Sequence, residues 1–219
     1  MIECSNLVKT YGEKTVLNIS HLQIKKGETV VIVGPNGSGK STLLKIISDV
    51  LTPSSGQKKV SGKLYYLPQQ SIPFSKTVRK NLLMCNKDEA RCEELLQKLL
   101  LKELQSKSAK GLSGGECQRL ALGRVLMNNA DFLVLDEPSS AADIDRARNI
   151  EDTIKESIAE TGCGILMTTH SPKQAQKLAD RIIMLCDGKI AEEGSPSELL
   201  SSPKTAWSKK FIDSWKIDT

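Results

Sequence analysis

A short apolar run followed by a glycine-rich turn constrains the fold of this chain more than any other feature. Residues 28–33 contain the run TVVIV, which is typical of a strand buried on both faces. The turn after it reads Gly34-Pro35-Asn36-Gly37-Ser38-Gly39-Lys40-Ser41, with Thr42 next, and fits G-x-x-x-x-G-K-[ST]. Residues 40–50 then have a helical pattern. Strand, glycine-rich turn and helix in this order predict a loop that binds phosphate groups.

The residue types in this loop suit phosphate chemistry. Glycines let backbone N–H groups turn inward where a side chain would clash, and the start of the helix adds the positive end of a dipole. We expect Lys40 to bridge the β and γ phosphates of a nucleotide and the Ser41 hydroxyl to ligate Mg²⁺. The alternative is a chance glycine-rich turn, which the flanking strand and helix make a poor explanation.

A second apolar run ends in two carboxylates. Residues 132–135 read FLVL, and Asp136 and Glu137 follow. We expect a buried strand to bring Asp136 beside the phosphate loop, where it organises Mg²⁺ through the hydration shell of the ion. Glu137 points in a different direction and is a candidate to accept a proton from an attacking water.

A second anion-binding feature lies in the segment LSGGE, from Leu112 to Glu116. Ser113 is a good N-cap for the following helix, and Gly114 and Gly115 expose backbone N–H groups at its start. One γ-phosphate cannot easily be wrapped by both loops of one compact chain. The motif therefore favours a role on the nucleotide of a partner molecule, and a plain capped helix is the alternative.

The rest of the chain alternates strands with helices. Strands are predicted at residues 2–8, 16–24, 63–67, 164–168, 181–186 and 189–193, and helices at 77–106, 114–127, 146–160 and 173–179. This alternation predicts an α/β fold with a largely parallel sheet. The last 25 or so residues are expected to form short surface helices.

Composition narrows the function further. Aromatic residues make up only 4% of the chain, which disfavours a base-stacking surface for nucleic acid. The six cysteines form no C-x-x-C pair, so we expect structural thiols in a reducing cytosol. The N-terminus does not resemble a signal peptide, and no stretch approaches 18 apolar residues. Any membrane-spanning part is expected in another chain.

Together, GPNGSGKST, LSGGE and FLVLDE resemble, in this order along the chain, the nucleotide-binding domain of ATP-binding cassette (ABC) transporters. The resemblance covers nearly the whole chain. It implies a P-loop NTPase core with a mainly parallel sheet, an N-terminal antiparallel β portion, and a small helical subdomain at about residues 70–127. This would be one domain over residues 1–219, using ATP and Mg²⁺. Two cassettes would form a head-to-tail dimer that sandwiches two ATP molecules.

The resemblance also implies roles for individual residues. Tyr11 would stack on adenine with Val16 beside it, Gln69 would sense Mg²⁺ and water, and His170 would reach the γ-phosphate. Gln70 is adjacent to Gln69, so the register there stays open. The expected catalytic residues are Glu137, His170, Gln69 and Lys40, and the expected metal site consists of Ser41, Gln69 and Asp136. The expected nucleotide-binding residues are Tyr11, Val16, Gly34, Pro35, Asn36, Gly37, Ser38, Gly39, Lys40, Ser41, Thr42, Ser113, Gly114, Gly115 and Asp143.

Two positions depart from the family pattern, although neither predicts an inactive protein. Glu116 stands where glutamine is commoner in the signature. Ala142 stands where leucine is usual in the loop that would meet the other subunit, and Asp143 is the next residue of that loop.

The expected function is the ATPase subunit of a membrane transporter, on the cytoplasmic face of the membrane through separate permease subunits. Its partners would be a second copy or a paralogous cassette, the permease, and a substrate-binding protein if the system imports, with no nucleic acid. Residues 168–181 faintly resemble importer ATPases. The alternative is a relative that drives iron–sulphur cluster assembly or cell division. A DNA-maintenance ATPase would need a long coiled coil between Gln69 and Leu112, and a translation factor would need two cassettes.

Overall fold

The computed structural model describes residues 1–217. The strands are Ile2–Tyr11 (β1), Lys14–Ile24 (β2), Thr29–Val33 (β3), Ser55–Val60 (β4), Leu64–Leu67 (β5), Phe132–Asp136 (β6), Gly164–Thr168 (β7), Arg181–Cys186 (β8) and Lys189–Gly194 (β9). The helices are Lys40–Ile47 (α1), Val78–Leu83 (α2), Glu89–Lys98 (α3), Gly114–Leu126 (α4), Ile144–Thr161 (α5), Pro172–Leu178 (α6), Pro196–Ser201 (α7) and Ala206–Ile217 (α8). Two single 3₁₀ turns, Lys102–Leu104 and Ala109–Gly111, connect α3 to α4.

The strands form two sheets. The larger has six strands in the order β5-β6-β7-β3-β8-β9, of which the first five are parallel and β9 is antiparallel to β8. The smaller is an antiparallel sheet in the order β2-β1-β4. Every residue of β3, β6 and β7 is buried, as expected for central parallel strands covered on both faces. The predictions of an α/β fold and an N-terminal antiparallel portion are confirmed.

The six-stranded sheet separates two hydrophobic clusters, because successive side chains of a strand point to opposite faces. Val31 and Val33 of β3 pack toward one face with residues of α4, α5 and α6. Val30 and Ile32 pack toward the other face with residues of α1, β1 and β2. Helix α1, which follows the phosphate loop, and the antiparallel sheet therefore lie on one side of the six-stranded sheet. Most of the other helices lie on its other side.

Helices α2, α3 and α4 contribute leucines to a common part of the core. Leu95, Leu96 and Leu99 are fully buried, whereas Leu100 is exposed and has a positive φ of 54°. A Cβ on Gly123 of α4 would lie 2.9 Å from side-chain atoms of both Leu82 and Leu99, so the helices approach closely there. The boundaries of a helical subdomain stay a prediction. Among residues 1–217, no helix is both long and apolar enough to cross a membrane.

Several sequence-based boundaries were wrong. β1 and β2 extend to the turn itself, where Tyr11 pairs with Lys14. α1 ends at Ile47 rather than at residue 50, because Asp49 takes the left-handed φ of 58° that terminates helices. β4 was not predicted, since its sequence SGQKKV is that of an exposed edge strand without apolar alternation.

The C-terminal helices are more than surface elements. Leu199 of α7 and both Ile212 and Trp215 of α8 are buried in the cluster that contains α4, α5 and α6. The expected short helices are present, and the structure adds that their inward faces are part of the core.

Helix α5 provides a matched test of this packing. Ile154 is fully buried against the sheet, whereas Ile144 on the same helix is 75% exposed. We expect Ile154→Ala to lower the free energy of unfolding by about 2–5 kcal/mol, because it removes buried methylene groups and leaves a cavity. Ile144→Ala should change it by less than about 0.5 kcal/mol. Denaturant unfolding of both variants measures the difference, and equal losses would contradict the described packing of α5.

Candidate functional site

The carboxyl ends of the parallel strands meet at one edge of the large sheet, where α/β proteins place their ligand sites. The phosphate loop follows β3, Glu137 follows β6, and His170 lies two residues beyond β7. Gln69 lies two residues beyond β5. Since β6, β7 and β3 are neighbours in the sheet, residues distant in sequence come together here.

The loop after β3 requires glycine at its two ends. Gly34 has a φ of 152°, and a Cβ there would lie 2.1 Å from the carbonyl oxygen of Leu185. Gly39 has a φ of 102°, and its Cβ would lie 2.8 Å from the carbonyl oxygen of Val16. Gly37, at the exposed tip, also has a positive φ of 80°, but a Cβ there would meet nothing within 4 Å. The glycine spacing in the sequence is therefore explained by backbone geometry.

Lys40 directs its ammonium group into the loop. The side chain is buried, and Nζ donates hydrogen bonds to the carbonyl oxygens of Gly34 at 2.8 Å and Pro35 at 3.0 Å. Burial lowers the pKa of this ammonium, while the carboxylates of Glu137 and Asp136 oppose the shift. A cation held within a concave, glycine-rich loop is suited to bind an anion.

Two hydroxyl groups of the loop add to this polar surface. The Ser38 Oγ atom is buried and has no hydrogen-bond partner among the described residues, so the loop contains an unsatisfied polar group. The Ser41 hydroxyl donates to Oδ1 of Asp136 at 3.2 Å. Hydroxyl and carboxylate oxygens are hard ligands of the kind Mg²⁺ prefers, usually with phosphate and water oxygens completing its shell. Thr42 lies half-buried in the same first turn of α1.

The Asp136 carboxylate joins several elements at the sheet edge. It is almost fully buried, and its Oδ1 atom also accepts a hydrogen bond from the Thr168 hydroxyl of β7 at 2.8 Å. The Tyr66 hydroxyl of β5 donates to Oδ2 at 3.5 Å. Burial raises the pKa of the Tyr66 phenol, and the adjacent Asp136 carboxylate adds to the shift. Thr168 and Tyr66 were not identified from the sequence, because their contacts with Asp136 join segments that are distant in the sequence.

The Glu137 carboxylate lies between two of the other predicted catalytic residues. Gln69 Nε2 donates to Oε2 at 3.0 Å, and His170 Nε2 lies 2.8 Å from Oε1. The Glu137 side chain is only 12% exposed, whereas the His170 side chain is 47% exposed. The structure therefore assembles Gln69, Glu137 and His170 into one group, and this supports Gln69 rather than Gln70 as the glutamine of the site.

The backbone of Glu137 is held in an unusual conformation. Its φ of 51° lies in the left-handed region, which costs a non-glycine residue about 1–3 kcal/mol. The Glu137 N–H donates to Thr168 Oγ1 at 3.0 Å, and Gln118 Nε2 of α4 donates to the Glu137 carbonyl oxygen at 2.7 Å. Gln118 Oε1 accepts from the Ala141 N–H at 3.0 Å. Gln118 thus connects α4 to the segment that follows β6, a contact that the sequence could not reveal.

Ser113, Gly114 and Gly115 occupy the start of α4. The Ser113 hydroxyl and Glu116 form a capping box, in which the Glu116 carboxylate accepts from the Ser113 N–H at 2.7 Å. This hydrogen bond lowers the pKa of the Glu116 carboxyl. A Cβ on Gly114 would meet nothing within 4 Å, and one on Gly115 would lie 3.0 Å from the Ala141 carbonyl oxygen.

The remaining candidates lie outside the Glu137 group. Asp143 is the N-cap of α5 and accepts from the Arg146 N–H at 3.0 Å. Tyr11 is 54% exposed at the end of β1, with the Lys9 ammonium 5.1 Å from its ring centroid. Among residues 1–217, no hydrogen bond joins either of them, or Ser113, to the phosphate loop.

Comparison with known proteins identifies the family. The family model described as ABC transporter matches residues 17–140, which is more than half of the chain. This chain belongs to the ABC transporter family. The matched segment contains the phosphate loop, LSGGE and the end of β6, whereas Tyr11, Val16, Asp143 and His170 lie outside it.

Named relatives in this family are similar along nearly the whole chain. The spermidine/putrescine import ATP-binding protein PotA of Spiroplasma citri is 33% identical over 97% of this chain and 66% of its own length. The arginine transport ATP-binding protein ArtM of Bacillus subtilis is 32% identical over 97% of this chain and 99% of its own. The tungstate uptake system ATP-binding protein TupC of Peptoclostridium acidaminophilum is 36% identical over 87% of this chain and 97% of its own length. The chain therefore spans about two thirds of the length of the PotA relative.

Solved structures of the family share the fold. A dimeric ATP-binding cassette in a post-hydrolysis state, bound to ADP and Pi, superposes with a TM-score of 0.80 at 29% identity, covering 90% of this chain and 99% of the other. The ATP-binding subunit of an ABC transporter gives a TM-score of 0.84 over 97% and 98% of the two chains. Its identity is 21%, so it supports the fold alone.

The two hydrogen bonds that Gln118 makes, to the Glu137 carbonyl oxygen and from the Ala141 N–H, form a clamp between α4 and the segment after β6. This Gln118 clamp can be tested without any activity assay. We expect Gln118→Ala to speed amide exchange in residues 137–142 by about tenfold, because two partly buried hydrogen bonds are lost. Hydrogen–deuterium exchange with mass spectrometry measures this, and peptides from β3 should not change. Gln97→Ala on the exposed side of α3 is the control. Unchanged exchange in residues 137–142 would contradict the clamp.

Proposed function

We propose that this chain binds Mg²⁺-ATP at the sheet edge and hydrolyses its γ-phosphate to power a membrane transporter. The single observation that carries the proposal is the Glu137 carboxylate, held by Gln69 and His170 at the edge where Lys40 lies inside a glycine-rich loop. A carboxylate fixed between two polar side chains beside a phosphate-binding loop has the geometry of a base for an attacking water.

The loop from Gly34 to Thr42 would hold the phosphates. Its backbone N–H groups would surround them, and the Lys40 ammonium would move from the loop carbonyls to the β and γ phosphates, where it offsets negative charge. Ser41 and Asp136 would hold Mg²⁺, with Gln69 at its periphery, and the bound ion would supply further charge neutralisation on the transferring phosphoryl group. Tyr11 would stack on the adenine, with Val16 beside it.

The attacking water would lie between Glu137 and the γ-phosphate. Glu137 would take a proton from this water as its oxygen bonds to phosphorus and the bond to the β-phosphate oxygen breaks, giving ADP and phosphate. His170 and Gln69 would fix the direction of the Glu137 carboxylate, and His170 would also donate to the γ-phosphate. The strained, clamped backbone of Glu137 supports this role, because strain of this kind clusters at functional sites.

A second cassette, identical or paralogous, would complete the nucleotide site. Ser113, Gly114 and Gly115 present a helix N-terminus that no described contact connects to the phosphate loop of the same chain. In a head-to-tail dimer this N-terminus would face the γ-phosphate bound by the partner, and Asp143 would lie in the loop between the subunits. A solved cassette with 29% identity is described as a dimer, which supports this arrangement.

The transporter's permease would dock beside Gln69. An open groove of about 560 Å³ lies between the segment after β5 and helix α4, with Ile72 and Arg124 in its wall. Ile72 and Phe74 are exposed apolar side chains at this position. A permease loop in this groove would attach the chain to the inner face of the membrane. Because the groove lies beside Gln69, the loop would also respond to movements of that residue. An importer would add an external substrate-binding protein.

The relatives' names do not point to one cargo for this chain. Its relatives are named for spermidine and putrescine, arginine, zinc, phosphate and tungstate, which include cations and anions. All of these names describe uptake or transport, so an import system is the direction that they favour.

The proposal predicts the behaviour of Glu137→Gln. Removing the base should lower kcat for ATP hydrolysis by about 100-fold or more, while ATP still binds and holds two copies together. Phosphate release and size-exclusion chromatography with Mg²⁺-ATP measure the two effects. Glu103→Gln, the same change at an exposed carboxylate, is the control and should resemble wild type. Wild-type turnover by Glu137→Gln would refute the assignment of the base.

A further inference from the structure

The C-terminal helix connects the edge of the sheet to the candidate site. At its beginning, the Glu192 carboxylate of β9 accepts hydrogen bonds from the N–H groups of Lys204 at 2.9 Å and Thr205 at 3.2 Å. Near its other end, the indole N–H of Trp215 donates to the carbonyl oxygen of His170 at 2.6 Å. Helix α8 is therefore fixed at both ends, and one of these attachments is to a residue that contacts Glu137.

The Trp215 ring has little freedom to move. It is 7% exposed and packs in the same hydrophobic cluster as Ile212 and Leu199. Phe211, one turn earlier, stacks on it with ring centroids 5.6 Å apart, and Trp207 stacks on Phe211 at 5.2 Å. The direction of the indole N–H is therefore set by packing, so the donor is presented to His170 by a rigid element.

His170 needs such a support. Its side chain is 47% exposed, so burial does little to fix the imidazole that reaches Glu137 Oε1. It lies in the turn between β7 and α6, outside both elements. The hydrogen bond from Trp215 to the His170 carbonyl oxygen restricts the backbone that carries the imidazole. Because the imidazole contacts Glu137 Oε1, the same hydrogen bond also restricts the Glu137 carboxylate.

We propose that Trp215 is a positioning residue for the reaction, which holds His170 in the orientation that reaches Glu137. The C-terminal helix is then part of the reacting arrangement rather than only a cover for the core. This inference rests on the proposed function, because His170 and Glu137 matter for hydrolysis only if the chain hydrolyses ATP. It also makes a prediction about His170 that holds without turnover.

The test compares Trp215→Phe with Trp207→Phe. The first substitution keeps an aromatic ring in the stack but removes the N–H donor to His170. The second changes the same aromatic row two turns earlier, away from the His170 carbonyl. Thermal unfolding of both variants shows whether each is folded, so that only folded proteins are compared.

The first measurement is histidine NMR. The chain has two histidines, His170 at the site and the exposed His21 on β2, which serves as an internal reference. In protein labelled only at histidine, Trp215→Phe should shift and broaden the His170 imidazole signal and leave the His21 signal in place. Trp207→Phe should leave both signals in place. A His170 signal that is unchanged in Trp215→Phe, or that moves equally in both variants, would overturn the proposal.

The second measurement is steady-state ATP hydrolysis. Trp215→Phe should lower kcat about three- to tenfold, the effect of one hydrogen bond, with KM for ATP changed by less than about twofold. Trp207→Phe should stay within about twofold of wild type for both constants. A rise in KM without a fall in kcat, or an equal fall in kcat in the two variants, would overturn the positioning role. If wild type itself shows no turnover, the proposed function fails, and the NMR result still decides whether Trp215 orients His170.

Discussion

One buried carboxylate organises the whole site. Asp136 lies at the carboxyl end of β6 and accepts hydrogen bonds from the hydroxyls of Ser41, Thr168 and Tyr66, which belong to α1, β7 and β5. A buried charge is costly unless polar groups surround it, so these three donors stabilise the Asp136 carboxylate in its buried position. Their convergence fixes the first turn of the phosphate-loop helix relative to three strands. Because Glu137 is the next residue, this arrangement also sets the position of Glu137.

The conformation of Glu137 shows how the fold tolerates local strain. A left-handed glutamate is unfavourable by itself, yet its N–H and carbonyl are both occupied, by Thr168 and by Gln118. Two hydrogen bonds in a partly buried region contribute about 1 kcal/mol each, which is comparable to the strain. The same turn aims the carboxylate at Gln69 and His170.

The sequence predicted the parts of the site that obey local rules. Glycine spacing, buried apolar runs and an N-cap serine are local patterns, and the loop after β3, the strand before Asp136 and the start of α4 were all found from them. Contacts between distant segments followed no such pattern. Gln118, Thr168 and Trp215 act through partners far away in sequence, so nothing near them indicated their roles. β4 was missed for a related reason, because a polar edge strand depends on its neighbour β1 rather than on its own residues.

Two kinds of polar contact attach the helices to the rest of the chain, and they differ in what they connect. Arg91 and Lys98 of α3 form ion pairs with Glu160 of α5 at 3.0 and 2.9 Å, and thereby tie α3 to the core. These side chains are partly exposed, and such pairs contribute at most about 1 kcal/mol each before salt screens them. Gln118 instead places two partly buried hydrogen bonds between α4 and the residues after β6. Movement of α3 relative to the core is opposed mainly by its buried leucines, Leu95, Leu96 and Leu99, whereas movement of α4 must also displace the backbone of Glu137. A force applied to the groove beside α4 thus has a direct route, through Gln118, to the backbone that carries the Glu137 carboxylate.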